Sequence, residues 1–180
     1  MLPTATATPA SPPLPNALLD ELTLLLGPRF STSASVREHH GSDISALDPM
    51  PPQAVAFVNG LDEIVAVQQA CHRHRVPIIP YGSGSSLEGW VHALHGGVCI
   101  DLSAMNQILE VRIDDMDVTV QPGVTRKQLN AALHGTGLFF PIDPGADASL
   151  GGMAATRASG TNACATARWC VCCPNTARRN

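Results

Sequence analysis

The sequence predicts an α+β fold of two α/β subdomains, and three features carry that expectation. Residues 54–80 spell strand, helix and strand in turn. Residues 108–121 alternate apolar and polar side chains about a polar turn. Two runs of small residues, some sixty positions apart, each follow a predicted strand. The first pattern is a β-α-β unit with parallel strands, and the second is an antiparallel hairpin.

Taken in order, residues 1–15 are rich in Ala, Thr and Pro and predict a disordered tail. They have no basic start, no apolar run and no arginine, so they match neither a secretory signal nor a mitochondrial presequence. Residues 16–26 predict a helix, with Asn16 as N-cap and Leu18, Leu22 and Leu25 or Leu26 as its apolar stripe. Gly27-Pro28 stops it. Residues 30–50 are polar and predict a surface linker. They hold His39, His40, Asp43 and Asp48, but no spaced carboxylate or cysteine completes a metal set.

Residues 54–58 form the first strand of the β-α-β unit. Residues 61–75 form its helix, with Asp62 and Glu63 at the positive end and Arg73, His74 and Arg75 at the other. Ile64, Val67 and Cys71 share one face, Pro77 ends the helix, and residues 76–80 are the second strand. A further strand covers 97–102. The hairpin joins 108–113 to 118–121 through Asp114-Asp115-Met116-Asp117, and Pro122-Gly123 closes it. Thr125 and Gln128 match a capping box that opens a helix running to about residue 134, with Leu129 and Leu133 on one face. Gly135 and Gly137 end that helix, and residues 138–142 predict another strand.

The first small-residue run is Pro80-Tyr81-Gly82-Ser83-Gly84-Ser85-Ser86-Leu87-Glu88-Gly89, with three glycines and three serines in ten residues. Its backbone N–H groups can converge on an anion, as in a loop that wraps a diphosphate. A flexible surface turn has the same composition. The loop leaves the carboxyl end of a predicted strand, where open α/β sheets place ligands. The second run covers 143–163. Its side chains are too small to fill a core, so either something bulky presses on the backbone or a small-residue helix packs tightly on the sheet. Neither run is a G-x-G-x-x-G fingerprint opening a helix, and no Gly-Lys-Ser/Thr occurs.

Composition narrows the partners. Hydrophobic residues make up 44% and charged residues 14%, so a core can form beside a large buried or ligand-covered surface. A net charge of −4 and 4% aromatics give no case for nucleic acid or an anionic membrane. No apolar stretch reaches the ~20 residues that span a bilayer. The expected location is cytoplasmic, peripheral to a membrane only through partners. Of six cysteines, Cys71 and Cys99 sit in apolar contexts and read as buried thiols.

At these motifs the chain resembles the FAD-linked 2-hydroxyacid oxidase and dehydrogenase family, which includes cytochrome-type D-lactate dehydrogenases and the flavin subunit of glycolate oxidase. The matching pieces are residues 76–89, His95-Gly96-Gly97-Val98-Cys99-Ile100-Asp101-Leu102, Met105-Asn106-Gln107-Ile108-Leu109, Val120-Gln121-Pro122-Gly123-Val124, and residues 137–162. Order and spacing agree over five motifs between about residues 17 and 163. The resemblance implies an FAD-binding domain of the p-cresol methylhydroxylase and vanillyl-alcohol oxidase type over residues 51–163, its second subdomain incomplete, with FAD held between the two. Tyr81, Gly82, Ser83, Gly84, Ser85, Ser86 and Gly89 would cradle the diphosphate. Pro122 and Gly123 would line the cleft. Asp143, Pro144, Gly145, Ser149, Gly151, Gly152, Ser159 and Gly160 would run along the phosphates and flavin. Residues 82–89 hold no histidine to link a flavin, so FAD is expected to be non-covalent. His92 and His95 read as structural or solvent-exposed.

The implied chemistry is hydride removal from a small 2-hydroxy acid to the flavin, with the electron acceptor unspecified. Substrate-orienting groups in this family come from a C-terminal half that does not appear here, so no catalytic acid or base is named. The alternatives are a non-catalytic flavin-binding or partner subunit, or an inactive truncated product.

After residue 163 the family continues Arg-Tyr-Gly-Thr-Met, whereas this chain continues Cys164-Ala165-Thr166-Ala167-Arg168-Trp169. The codons TGC GCT ACG GCA CGA TGG encode those six residues, and read from their third base they encode Arg-Tyr-Gly-Thr-Met. Residues 164–180 are therefore expected to be frameshifted, which DNA sequence across Ala163 checks. The rival zinc reading of Cys164, Cys170, Cys172 and Cys173 fails on spacing, which matches no paired C-x-x-C arrangement.

Overall fold

The structure is a computed structural model and describes residues 11–159. The expected frameshifted tail, its four cysteines and residues 1–10 of the expected disordered tail lie outside the described residues. The chain divides into two compact units, residues 1–105 and 106–180.

In the first unit, α1 spans Asn16–Leu26 and buries Leu18, Leu22 and Leu26. Leu25 is exposed, so Leu26 completes the stripe. Pro15, not Asn16, is the N-cap residue, and no side chain caps the helix. A 3-10 turn, Gly27–Arg29, follows. Residues 11–15 do not behave as a tail: Leu14 packs on the core, and Gln53 Nε2 donates to the Pro12 carbonyl at 2.7 Å.

The expected linker over 30–50 is corrected by a strand and a helix. Strand β1 (Phe30–Ser31) pairs antiparallel with β2 (Ala54–Phe57). Helix α2 (Ala34–His40) buries only His40. Its anchors are polar, including Arg37 Nε donating to the Pro52 carbonyl at 2.7 Å, so no apolar periodicity announces it.

Helix α3 spans Leu61–His74, β3 Ile78–Tyr81 and β4 Val98–Asp101. The sheet order is β1-β2-β4-β3, with β4 parallel to both neighbours. Thus β2 and β3 run parallel as the β-α-β reading requires, with β4 inserted between them. Ala54, Ala56, Val98 and Ile100 join Leu18, Leu22, Val67 and Cys71 in one cluster. Val55, Tyr81 and Cys99 join Val91 in another, with Val36 and Phe57 against them. Sheet residues contribute to clusters on both faces, and this is why these parallel strands read as near-continuous apolar runs.

Arg29 ties the turn to α3. Its Nη1 and Nη2 donate to Glu63 Oε2 and Oε1 at 2.6 Å each, and Nη1 also reaches the Phe57 carbonyl at 3.2 Å. Glu63 also accepts from the Asn59 N–H at 2.8 Å. The Arg29 guanidinium is the main cause holding the Glu63 carboxyl down to about 2, against an ordinary 4.5. A depressed carboxylate stabilises above its unfolded pKa and loses that contribution as pH falls through the folded one. Arg29→Met is therefore expected to lower Tm by a few degrees at pH 7, because the pair is a third exposed and screened. The difference from the parent should vanish between pH 4.5 and 2, as thermal melts across that window would show.

In the second unit, β5 (Ile108–Arg112) and β6 (Asp117–Val120) form the expected antiparallel hairpin. Helix α4 (Arg126–Ala132) carries the capping box: Thr125 Oγ1 accepts from Gln128 N, and Gln128 Oε1 accepts from Thr125 N. Helix α5 spans Leu150–Ala155. Val124, Leu129, Leu133, Ile142, Ala148, Leu150 and Met153 form the core. The strand expected over 138–142 is absent; the segment is irregular. Its alternation is real, with Ile142 buried and Leu138 and Phe140 packed on the core. A side chain, however, takes the role of a neighbouring strand, since Phe140 N donates to Asn130 Oδ1 at 2.7 Å. No helix among the described residues is long and apolar enough to cross a membrane.

Candidate cofactor loops

β3 ends on Tyr81, a buried side chain at the carboxyl edge of the parallel strands. The chain then turns through Gly82, Ser83, Gly84, Ser85 and Ser86. Gly84 has φ of +62°, and a Cβ there would lie 2.6 Å from Tyr81 Oη. Both the left-handed backbone and the Tyr81 hydroxyl therefore require glycine. Ser83 and Ser85 hydroxyls are 2.9 Å apart, and Ser86 Oγ donates to Glu88 Oε2 at 2.7 Å. The backbone N–H groups of Gly84, Ser85 and Ser86 have no acceptor among the described residues. Successive unpaired N–H groups at this end of a parallel sheet suit an anionic ligand.

The far end of the loop is pinned. Gly89 N donates to Asp43 Oδ2 at 3.1 Å, while Ser45 N and Oγ donate to Asp43 Oδ1. The Ser45 hydroxyl, aided by these backbone donors, holds the Asp43 carboxyl below its ordinary pKa. His92 is buried, its Nε2 3.6 Å from Asp43 Oδ1, and His95 is exposed.

In the second unit, Pro122, Ser149, Gly151 and Gly152 come together. Gly151 N donates to the Pro122 carbonyl at 2.9 Å, and Ser149 Oγ caps α5 by accepting from Gly152 N at 3.3 Å. A Cβ on Gly151 would lie 2.6 Å from Pro122 Cβ. Gly123 beside them is buried. Asp143, Pro144 and Gly145 are exposed. Asp143 Oδ1 accepts from Gly145 N at 3.0 Å, and Oδ2 lies 3.1 Å from Arg126 Nη1. Nothing lies within 4 Å of a Cβ built on Gly145. Ser159 is exposed, and Gly160 lies outside the described residues.

The bulk expected against these small residues has two sources. At Gly84 and Gly151 it is the chain's own Tyr81 and Pro122, whereas the backbone at Gly145 faces open space. Sequence reasoning missed His40 and Asp101, which pair beneath Tyr81 at 2.8 Å. One signal pointed there: an aspartate ending a strand of otherwise apolar residues needs a buried partner. Among the described residues no group of three or more His, Cys, Asp or Glu is placed to hold a metal.

Known proteins resemble the chain in sequence and in fold. A probable mitochondrial D-lactate dehydrogenase from Danio rerio is 56% identical over 133 residues, which cover 74% of this chain and 27% of that protein. The glycolate oxidase subunit GlcD of Bacillus subtilis is 36% identical over 126 residues, 69% of this chain and 27% of the relative. The chain thus spans about a quarter of the length of these relatives. Among solved structures, an alkyldihydroxyacetonephosphate synthase matches with a TM-score of 0.75 at 25% identity, covering 85% of this chain and 31% of that one. A substrate-bound p-cresol methylhydroxylase matches with a TM-score of 0.56 at 21% identity, covering 71% and 25%, and shares the fold. The family model for the FAD binding domain matches residues 52–173, and the chain belongs to that family.

Proposed function

We propose that the chain binds FAD non-covalently and is the flavin-holding part of an oxidoreductase that acts on a small 2-hydroxy acid, D-lactate or glycolate. The observation that carries this reading is the row of unpaired N–H groups at Gly84, Ser85 and Ser86, presented at the carboxyl end of β3. Uncharged donors of this kind hold a diphosphate without neutralising it. Tyr81, Gly82 and Ser83 shape the entry to that row, and Gly89 fixes its exit through Asp43.

The second segment contributes shape more than donors. The Gly151 N–H is spent on Pro122 and the Gly152 N–H on Ser149. Pro122, Gly123, Ser149, Gly151 and Gly152 then offer a tight wall, with the exposed Asp143, Pro144, Gly145 and Ser159 further along the same segment. Arg126 offsets the charge of the Asp143 carboxylate. Bound flavin supplies the hydride-accepting chemistry. No acid or base in this chain is assigned to the reaction.

The purified chain should be yellow and release its flavin on acid precipitation. FAD at one hundred times its Kd should stabilise by about 2.7 kcal/mol, a Tm rise of about 5–11 °C for a chain of this size. A colourless chain whose Tm ignores FAD would end the reading. Dye reduction by D-lactate or glycolate would show turnover. A yellow chain without it is the non-catalytic flavin-binding form. Cell fractionation tests the proposed cytoplasmic location against the mitochondrial one carried in the name of the Danio rerio relative.

A further inference from the structure

Beneath the first loop lies a buried chain of contacts. His40 is 3% exposed and Asp101 5%. His40 Nε2 lies 2.8 Å from Asp101 Oδ2, and Nδ1 lies 2.8 Å from the Val36 carbonyl. With Asp101 ionised, the carboxylate and the carbonyl can only accept, so this geometry favours both ring nitrogens as donors, the imidazolium form. The Asp101 carboxylate is held on its other side by Ser103 N at 2.7 Å. The His40 ring packs 4.5 Å from the Tyr81 ring and edge-on to Phe57 at 5.5 Å. Tyr81 Oη in turn stands 2.6 Å from where a Gly84 Cβ would be. Contact therefore runs from the end of β4, through the end of α2, through the end of β3, to the turn of the loop.

We propose that His40 is a positioning residue for the 82–86 loop: clamped as an imidazolium by Asp101 and Val36, it fixes the Tyr81 ring on which Gly84 rests. This rests on the reading that the loop binds FAD. Loss of the proton leaves the Nδ1 lone pair facing the Val36 carbonyl, so one of the two bonds turns repulsive and the ring must move. Burial disfavours the charged ring, but the bonds to Asp101 and Val36 outweigh burial and raise its pKa above 6.5. The groups facing it are Asp101 from β4, Tyr81 from β3 and His39 from its own helix, with Cys99 beside Asp101 and Tyr81.

The test uses the full chain labelled with ¹⁵N and ¹³C. At pH 6 both His40 nitrogens should report as protonated, and the amide resonances of residues 82–86 should shift with the His40 titration midpoint. FAD affinity, read from flavin fluorescence, should be flat from pH 5 to 6.5 and weaken as pH rises through the His40 pKa. His40→Gln should bind FAD about tenfold more weakly at pH 6, as for a loop competent a tenth of the time, and its affinity should lose that pH dependence. A singly protonated His40, loop amides that ignore its midpoint, or a folded His40→Gln chain with the parent's affinity and pH profile would each overturn the proposal. If the parent binds no FAD, the flavin reading falls, and the amide titration still decides the positioning role. The same titration decides it if His40→Gln does not fold.

Discussion

Replacing Gly97 with valine is expected to destabilise the first unit by about 2–6 kcal/mol, the sum of backbone strain and overpacking of about 1–3 kcal/mol each. Gly97 has φ of +112°, a region that β-branched side chains avoid. A Cβ there would lie 2.3 Å from the Pro77 carbonyl oxygen and 2.9 Å from its carbon. That carbonyl cannot retreat, because it accepts from Val98 N at 2.9 Å and starts the β3–β4 register. On the other side Gly97 exchanges two bonds with Gln53, which holds β2 in line. The clash thus falls where three parallel strands are set against one another, four residues before Asp101. The urea midpoint should fall with an unchanged slope, and FAD affinity should fall with it. A Gly97→Val chain as stable as its parent would mean that the three strands are not held in this register.

The elements legible in the sequence were those whose burial is apolar and periodic. Leu18 and Leu22 announced α1, Val67 and Cys71 announced α3, and the Thr125 and Gln128 pair announced α4. The two small-residue runs stand out by composition after predicted strands, although a surface turn has the same composition. What escaped was held by polar anchors. Helix α2 has seven residues and one buried side chain, and that side chain is a histidine. Its stability comes from Asp101, which lies 61 residues further along the chain, and no local pattern encodes so distant a partner. The segment 138–142 erred the other way. Its alternation reports burial of Ile142 on the core of the second unit, but alternation does not supply a strand to pair with, and Asn130 satisfies the backbone instead. Small residues also proved ambiguous for a physical reason. A close neighbour excludes a Cβ whether it is a ligand or the chain's own Pro122, and composition cannot tell the two apart.

The pair that escaped the sequence should also carry a large share of the first unit's stability. His40→Leu is expected to cost about 3–5 kcal/mol at pH 7, the range for removing one partner of a buried ion pair. The variant leaves the Asp101 carboxylate buried with Ser103 N as its remaining donor. In the parent, Asp101 is pushed up by burial but pulled further down by His40 and Ser103, so its pKa lies below 3.8. Its contribution is present above 3.8 and fades as pH falls through that lowered value, while the contribution of His40 is complete below 6.5 and fades as pH rises through its raised value. The clamp is therefore fully formed between 3.8 and 6.5. Without His40, burial, the largest single influence on Asp101, is opposed only by the Ser103 bonds, so its pKa rises from the parent's lowered value and the variant folds more easily with that carboxyl protonated. It should gain stability as pH falls from 7 towards 4. The parent regains only the His40 share lost above 6.5, so the gap between them should narrow. Adding Asp101→Asn to His40→Leu removes the stranded charge and keeps an acceptor for Ser103, so it should recover stability at pH 7. The double variant still lacks the ring under Tyr81, so its affinity for FAD should stay low. Denaturation at pH 4 and 7, with FAD binding on the same chains, separates the two roles. An equal loss at both pH values would mean that Asp101 is not a buried carboxylate depending on His40, and the clamp would have to be given up.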